Sequence, residues 1–155
     1  MSAAENIDVS ADTLQVCEFK IGQDFFGISV LNIQEIIKPQ KITKVPLSDN
    51  YVKGLINLRG QIVTGLSLRT LFGLEEKSTE ENMNVIVRHE DQLISFMVDK
   101  ICDVQDLEKQ DFQQTPDTIS RKIAQYVSGV YKLEDRLLII LDINRLMNNN
   151  NDQQN

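Results

Sequence analysis

A chain of 155 residues with 41% hydrophobic and 25% charged residues has the make-up of a globular protein, either one domain or two small ones sharing a core. At this length folding buries roughly two-thirds of the unfolded surface, whereas either half alone would be marginal. The net charge of −7 and the lack of a long Lys/Arg run argue against nucleic acid as a partner. The longest apolar run, Leu137 to Leu141, is too short to span a bilayer, and the N-terminus has no leader-like apolar core, so a cytoplasmic location is expected.

Residues 1–12 are polar with little periodicity and predict a mobile start, ahead of a folded body from about Leu14 to Met147. Cys17, Phe19 and Ile21 alternate with Glu18 and Lys20, the pattern of a half-buried strand with the two charges facing water. Gly22-Gln23-Asp24 turns the chain into Phe25 to Ile28, and Ile33 to Ile37 follows after a short turn. Further strands are predicted at 43–45, 53–58, 61–66, 83–89, 92–98, 101–105, 126–133 and 137–142. Helical stretches are short, around Leu68 to Phe72 and Ile143 to Met147, with another opening at Pro116. Residues 149–155 form an Asn/Gln tail expected to be disordered. Cys17 and Cys102 have no metal-ligand or close spacing and read as reduced, packed thiols, a disulfide being the weaker reading.

The chain repeats itself. A shift of 75 positions lays Tyr51, Val52, Gly54, Leu55 and Leu58 on Tyr126, Val127, Gly129, Val130 and Leu133, and carries on through Ile62, Val63, Leu66, Leu68 and Leu71 onto Leu137, Leu138, Leu141, Ile143 and Leu146. Upstream, a shift of 68 lays Phe26, Ile28, Val30, Ile33, Glu35 and Ile36 on Ile94, Phe96, Val98, Ile101, Asp103 and Val104. The second unit therefore carries 7 extra residues, expected between Leu107 and Arg121. Two units of about five short strands predict an all-β fold of two small five-stranded antiparallel barrels packed together, since closure removes exposed edges. Their approximate extents are 13–80 and 81–148 within a body of 13–148, with exchange of the first strand between them left open.

The residues for most catalysis are missing. The single histidine, His89, sits at a strand end beside Glu90 and Asp91, and there is no nucleophile elbow, phosphate loop, His-x-x-x-His or Cys-x-x-Cys. No metal or other cofactor is expected. A carboxylate enzyme using Asp99, Asp103 and Glu108, or a small-ligand binder using a cleft between barrels, is the competing function class. A binding surface is better supported: Arg59-Gly60 between two apolar strands puts a planar, permanently charged fork at a hairpin tip. Arg59 is either that reach toward a partner or an ordinary turn arginine, and Glu35 either pairs with it, binds a partner or faces water.

Four ordered segments then carry a family resemblance. Phe19-Lys20-Ile21-Gly22, Phe26 to Ile36, Val52-Lys53-Gly54-Leu55-Ile56-Asn57-Leu58-Arg59-Gly60 and Leu138 to Ile143 resemble the CheW family of bacterial chemotaxis adaptors over nearly the whole folded body. The resemblance implies a non-enzymatic adaptor of two SH3-like barrels. It would bridge the cytoplasmic hairpin tips of methyl-accepting chemoreceptors to the regulatory domain of the histidine kinase CheA, meet the membrane only through receptors, and self-associate in array rings. It further implies Ile33, Glu35, Gly54, Asn57, Arg59 and Val104 as receptor-side residues, and leaves the kinase contacts unassigned. Service in a non-flagellar chemosensory pathway is the nearest alternative. The chain departs from the family at Val63-Thr64-Gly65-Leu66-Ser67, where Ser67 replaces a helix-capping aspartate, and at Gln113 and Thr118, which bear on ring-forming contacts. With no receiver or kinase module, it reads as a free-standing adaptor.

Overall fold

The computed structural model describes residues 12–75 and 82–154, with side chains through Asn148. The expectation for the N-terminal residues falls outside what is described, except at Asp12; at the other end a helix continues through Gln154, into the Asn/Gln stretch expected to be disordered. Ten strands form among the described residues: β1 Thr13–Ile21, β2 Asp24–Ser29, β3 Ile33–Ile37, β4 Val52–Leu58, β5 Gln61–Ser67, β6 Met83–His89, β7 Gln92–Val98, β8 Lys100–Glu108, β9 Val127–Lys132 and β10 Leu137–Leu141. Among the described residues these strands are accompanied by the helices α1 Leu68–Leu71, α2 Arg121–Ala124 and α3 Ile143–Gln154 and by short 3-10 turns. Ser67 does cap α1, its side chain accepting the Thr70 N–H at 3.2 Å, so the substituted position keeps the helix start.

Two local expectations shift. The strand at 43–45 is reduced to one bridge, Thr43 to Leu55, because Pro46 follows at once and has no N–H to continue a ladder. The helix expected to open at Pro116 begins only at Arg121; Pro116 instead accepts the Ile119 N–H in a turn.

The strands build two five-stranded sheets of the SH3-like kind. One, the terminal sheet, runs β8-β1-β2-β10-β9; the other, the central sheet, runs β3-β6-β7-β5-β4. The internal shift carries the first order onto the second strand for strand, and the register follows. Ile139 opposite Phe26 in the terminal sheet corresponds to Thr64 opposite Ile94 in the central one, and Ile139 opposite Val130 to Thr64 opposite Leu55. Each unit gives two strands to one sheet and three to the other. It is thus both β1 and β2, from the first half, that pair with β8 and β10 of the second. One pairing in each sheet is parallel, β2 with β10 and β5 with β7, within otherwise antiparallel ladders. The bridges Thr43–Leu55 and Gln113–Val130 are also equivalent and tie the chain beyond β3 and β8 to the far edge strands β4 and β9. They divide the insertion: two extra residues precede Gln113 and five follow it, in the stretch that contains α2.

The main core lies between the sheets, where Phe19, Phe26, Val85, Val87, Phe96 and Leu66 meet α1 and α3 through Leu68, Phe72, Leu146 and Met147. A smaller core fills the other side of each sheet, Val16, Leu107, Tyr131, Leu138 and Ile140 in the terminal one and Ile56, Leu58, Val63 and Ile86 in the central one. Strand β1 is consequently buried on both faces. Glu18, expected to face water, is completely buried, because its face of the strand looks into a second core.

Candidate functional site

The β4–β5 hairpin closes through Arg59 and Gly60, both at positive φ (51° and 87°), the mirror-image two-residue turn that matches the strands' right-handed twist. Asn57 fixes this turn: its Oδ1 accepts the Gly60 N–H at 2.9 Å. Glycine at position 60 takes the left-handed conformation without strain, and the Arg59 side chain is presented at the tip.

There it meets Glu35, the Arg59 guanidinium donating to the carboxylate. Glu35 sits on β3, just past a register shift that separates it from Ile33. Since β3 and β4 are the opposite edges of the central sheet, the pair straps them together beside the Thr43–Leu55 bridge. Arg59 remains 68% exposed and Glu35 28%, so the fork keeps donors free for a partner. Next to it on β3, Gln34 accepts from Arg88 Nε at 2.9 Å. Ile33 is half-buried against the main core, while its neighbour Ile36 is exposed.

Gly54 is buried and presents nothing to a partner. With φ at 144°, a Cβ there would stand 2.2 Å from the Thr43 carbonyl oxygen and 2.6 Å from Ile42 Cγ2. Its place in the sequence pattern is explained by the close approach of the 42–44 backbone. Val104 is 56% exposed but lies on β8 of the terminal sheet, opposite Cys17. The structure thus joins Glu35 and Arg59 directly, gives Asn57 and Gly54 structural duties on the same hairpin, and sets Val104 on the other sheet.

The sequence reading missed a groove of about 740 Å³ on the central barrel, of mixed lining, where Val52, Leu55, Ile62 and Leu93 stand beside Asp49 and Asp91. Leu47 stands fully exposed at its mouth with φ at 61°, an uncommon backbone state for a branched aliphatic residue, and Ile62 is also largely exposed. The available signal was a leucine within Pro46-Leu47-Ser48-Asp49, where turn residues are otherwise polar.

The carboxylates weighed for catalysis have other duties or no cluster. Asp99 is held by Arg69 Nη1 at 2.7 Å and by the Gly22 N–H at 2.8 Å, and no group of three metal-ligating side chains occurs among the described residues. His89 sits at the end of β6, 4.0 Å from Glu90. Cys17 and Cys102 are free thiols, and burial pushes both pKa values up, which holds them protonated and unreactive at neutral pH. Among the described residues no helix is long and apolar enough to cross a membrane.

Comparison with known proteins agrees with this architecture. Residues 15–151 match the model of the CheW-like domain. A chemotaxis protein CheW of Helicobacter pylori is 35% identical over 94% of this chain and 88% of its own length. A CheW of Treponema pallidum is 31% identical over 89% and 84%. The crystal structure of the scaffolding protein TtCheW from Thermoanaerobacter tengcongensis superposes with a TM-score of 0.74 at 25% identity, covering 83% of this chain and 88% of that one.

Proposed function

The chain belongs to the CheW family of chemotaxis scaffold proteins, and from that premise we propose that it couples the cytoplasmic hairpin tips of chemoreceptors to the regulatory domain of the histidine kinase CheA. The receptor side in this reading is the strapped edge of the central sheet, Ile33, Glu35 and Arg59, completed by Val104 from the terminal sheet. The observation that carries it is the presentation of Arg59. Its backbone is fixed by a two-residue turn, its side chain is oriented by Glu35, and most of its surface is left in water.

A guanidinium held in this way is prepared to take a second carboxylate on a partner at little further cost in side-chain entropy. Ile33 and Val104 supply the apolar contacts that such an interface needs at its centre. Asn57 and Gly54 belong to the same site indirectly, Asn57 by setting the turn and Gly54 by admitting the neighbouring strand. The protein acts here by equilibrium binding, in the cytoplasm, and reaches the membrane only through its receptors.

Calorimetric titration with a receptor cytoplasmic hairpin fragment tests the assignment. The wild type binds saturably without turnover, and Arg59→Asp, folded by circular dichroism, loses about tenfold or more in affinity, as expected of a charge placed against its complement. Unchanged affinity in a folded Arg59→Asp protein would overturn the receptor-side assignment. A parallel titration with the kinase regulatory domain, unaffected by Arg59→Asp, would support a separate face for the kinase.

A further inference from the structure

The chain passes between the two sheets only twice among the described residues, at Val30–Asn32 between β2 and β3 and at the single residue Asp99 between β7 and β8. The internal repeat makes these crossings equivalent, and they are held very differently.

At the second crossing, Asp99 Oδ2 accepts both Arg69 Nη1 at 2.7 Å and the Gly22 N–H at 2.8 Å, while the Asp99 N–H donates to the Lys20 carbonyl at 3.1 Å. Arg69 extends from α1, which follows the central sheet, and its Nε also donates to the Glu75 carbonyl at 2.5 Å. Gly22 lies in the β1–β2 turn of the terminal sheet and Lys20 near the end of β1. Arg69 and Asp99 are both mostly buried, so the attraction is screened less than at the surface. One ion pair thus ties the helix of one sheet to a turn of the other.

At the first crossing the repeat puts Leu31 where Asp99 stands, Glu90 where Gly22 stands and Asn144 where Arg69 stands. That set has no cation and no acceptor at the crossing itself. Leu31 is 90% exposed, and the turn is held locally, its N–H bonding the Ser29 hydroxyl at 3.3 Å. One crossing is tied across the two sheets, and the bond named at the other is local.

We infer that Arg69 and Asp99 are positioning residues for partner binding: their ion pair fixes the angle between the sheets, and with it the placement of Val104 on the terminal sheet relative to Glu35 and Arg59 on the central one. The inference rests on the receptor-side reading above. A partner that touches both sheets needs that angle preset, and one that docks on a single sheet does not.

Residual dipolar couplings of the backbone amides test this on the full chain. In the wild type one alignment tensor fits both sheets. In Asp99→Asn and Arg69→Gln each sheet keeps its own internal couplings but the two require different tensors, and affinity for the receptor hairpin falls about tenfold, within the usual range of coupling between sites. Arg69→Lys, which retains the charge, restores most of that affinity. A single tensor in both variants, or a receptor affinity unchanged from a wild type that binds, would overturn the inference. If the wild type does not bind the hairpin, the receptor reading fails by itself and the couplings still decide whether the ion pair fixes the angle. Asp99→Asn guards against simple unfolding, since an amide oxygen still accepts the Gly22 N–H.

Discussion

The two barrels are the same construction closed with opposite chemistry. In the terminal barrel, the fully buried Glu18 of β1 accepts from Arg136 Nε at 2.6 Å and from Gln105 of β8 at 2.9 Å, so a charge network runs from the middle of the sheet to the β9–β10 turn. The equivalent positions in the central barrel are Ile86, Gln61 and Ile37, where Ile86 and Ile37 belong to an apolar core. The central barrel places its ion pair outside instead, Glu35 with Arg59, at positions that hold Asp103 and Glu134 in the terminal one. A buried pair is rigid but depends wholly on both partners, whereas an exposed pair is energetically modest and remains available to a ligand. The contrast suits a molecule in which one barrel is anchored and the other offers its charge.

The largest effect expected from breaking this contrast is at Arg136. Arg136→Ala leaves a buried carboxylate without its counter-ion and should lower unfolding free energy by about 3 to 5 kcal/mol in urea denaturation. A loss below about 1 kcal/mol would mean that Glu18 is far better hydrated than its burial indicates. The double variant Glu18→Ile with Arg136→Leu imitates the central barrel and should recover most of that loss, as apolar replacements of buried pairs commonly do.

Gly54→Ala comes next. Its Cβ would meet the Thr43 backbone oxygen rather than a side chain able to swing aside, so about 2 to 3 kcal/mol of destabilisation is expected. Gly129, its partner in the repeat, is crowded by Phe112 Cζ at 2.2 Å and by the Gln113 carbonyl at 2.6 Å. The aromatic ring there can rotate away, and Gly129 lacks the positive φ of Gly54, so Gly129→Ala should cost less. Equal losses in parallel thermal melts would show that the backbone approach is not what distinguishes the two.

The barrels should also differ in acid. The Arg136 hydrogen bond is the main cause holding the Glu18 pKa below the usual carboxylate range. A depressed folded-state pKa contributes stability that is present above the unfolded value of roughly 4.3 and is lost as pH falls through the folded one. Unfolding measured between pH 6 and pH 2 should therefore show an acid limb that Glu18→Gln flattens. A limb of the same depth in that variant would assign it to other carboxylates.

Least affected by mutation should be stability at the exposed pair. Arg59→Gln removes an interaction worth about 0 to 1 kcal/mol, and the unfolding midpoint should barely move.

Much of this was legible in the sequence for a definite reason. The repeat was visible because each strand of one unit has its counterpart at a fixed shift, and the two-barrel fold followed from that pattern; pairing with Arg59 was one of three open readings of Glu35, and it is the structure that brings the two together. Glu18 was misread because period-two alternation reports which face a residue lies on, not whether a second core waits there, and its partner Arg136 lies 118 positions away. The insertion was located only in part, since polar composition does not show on which side of the Gln113–Val130 bridge its residues fall. Gly54 was recognised as a glycine of consequence, but its reason lies in the Thr43 backbone across the sheet, which no local pattern contains. The exchange of two strands between the units was equally invisible, because hydrophobic periodicity is the same whichever sheet a strand joins.

The most direct test of the account is a titration of the receptor hairpin fragment into wild type and Arg59→Asp, each also titrated with the kinase regulatory domain. The account predicts saturable receptor binding that Arg59→Asp weakens about tenfold or more while kinase binding and the circular dichroism spectrum stay as in the wild type. Receptor affinity unchanged by Arg59→Asp in a folded protein would contradict it.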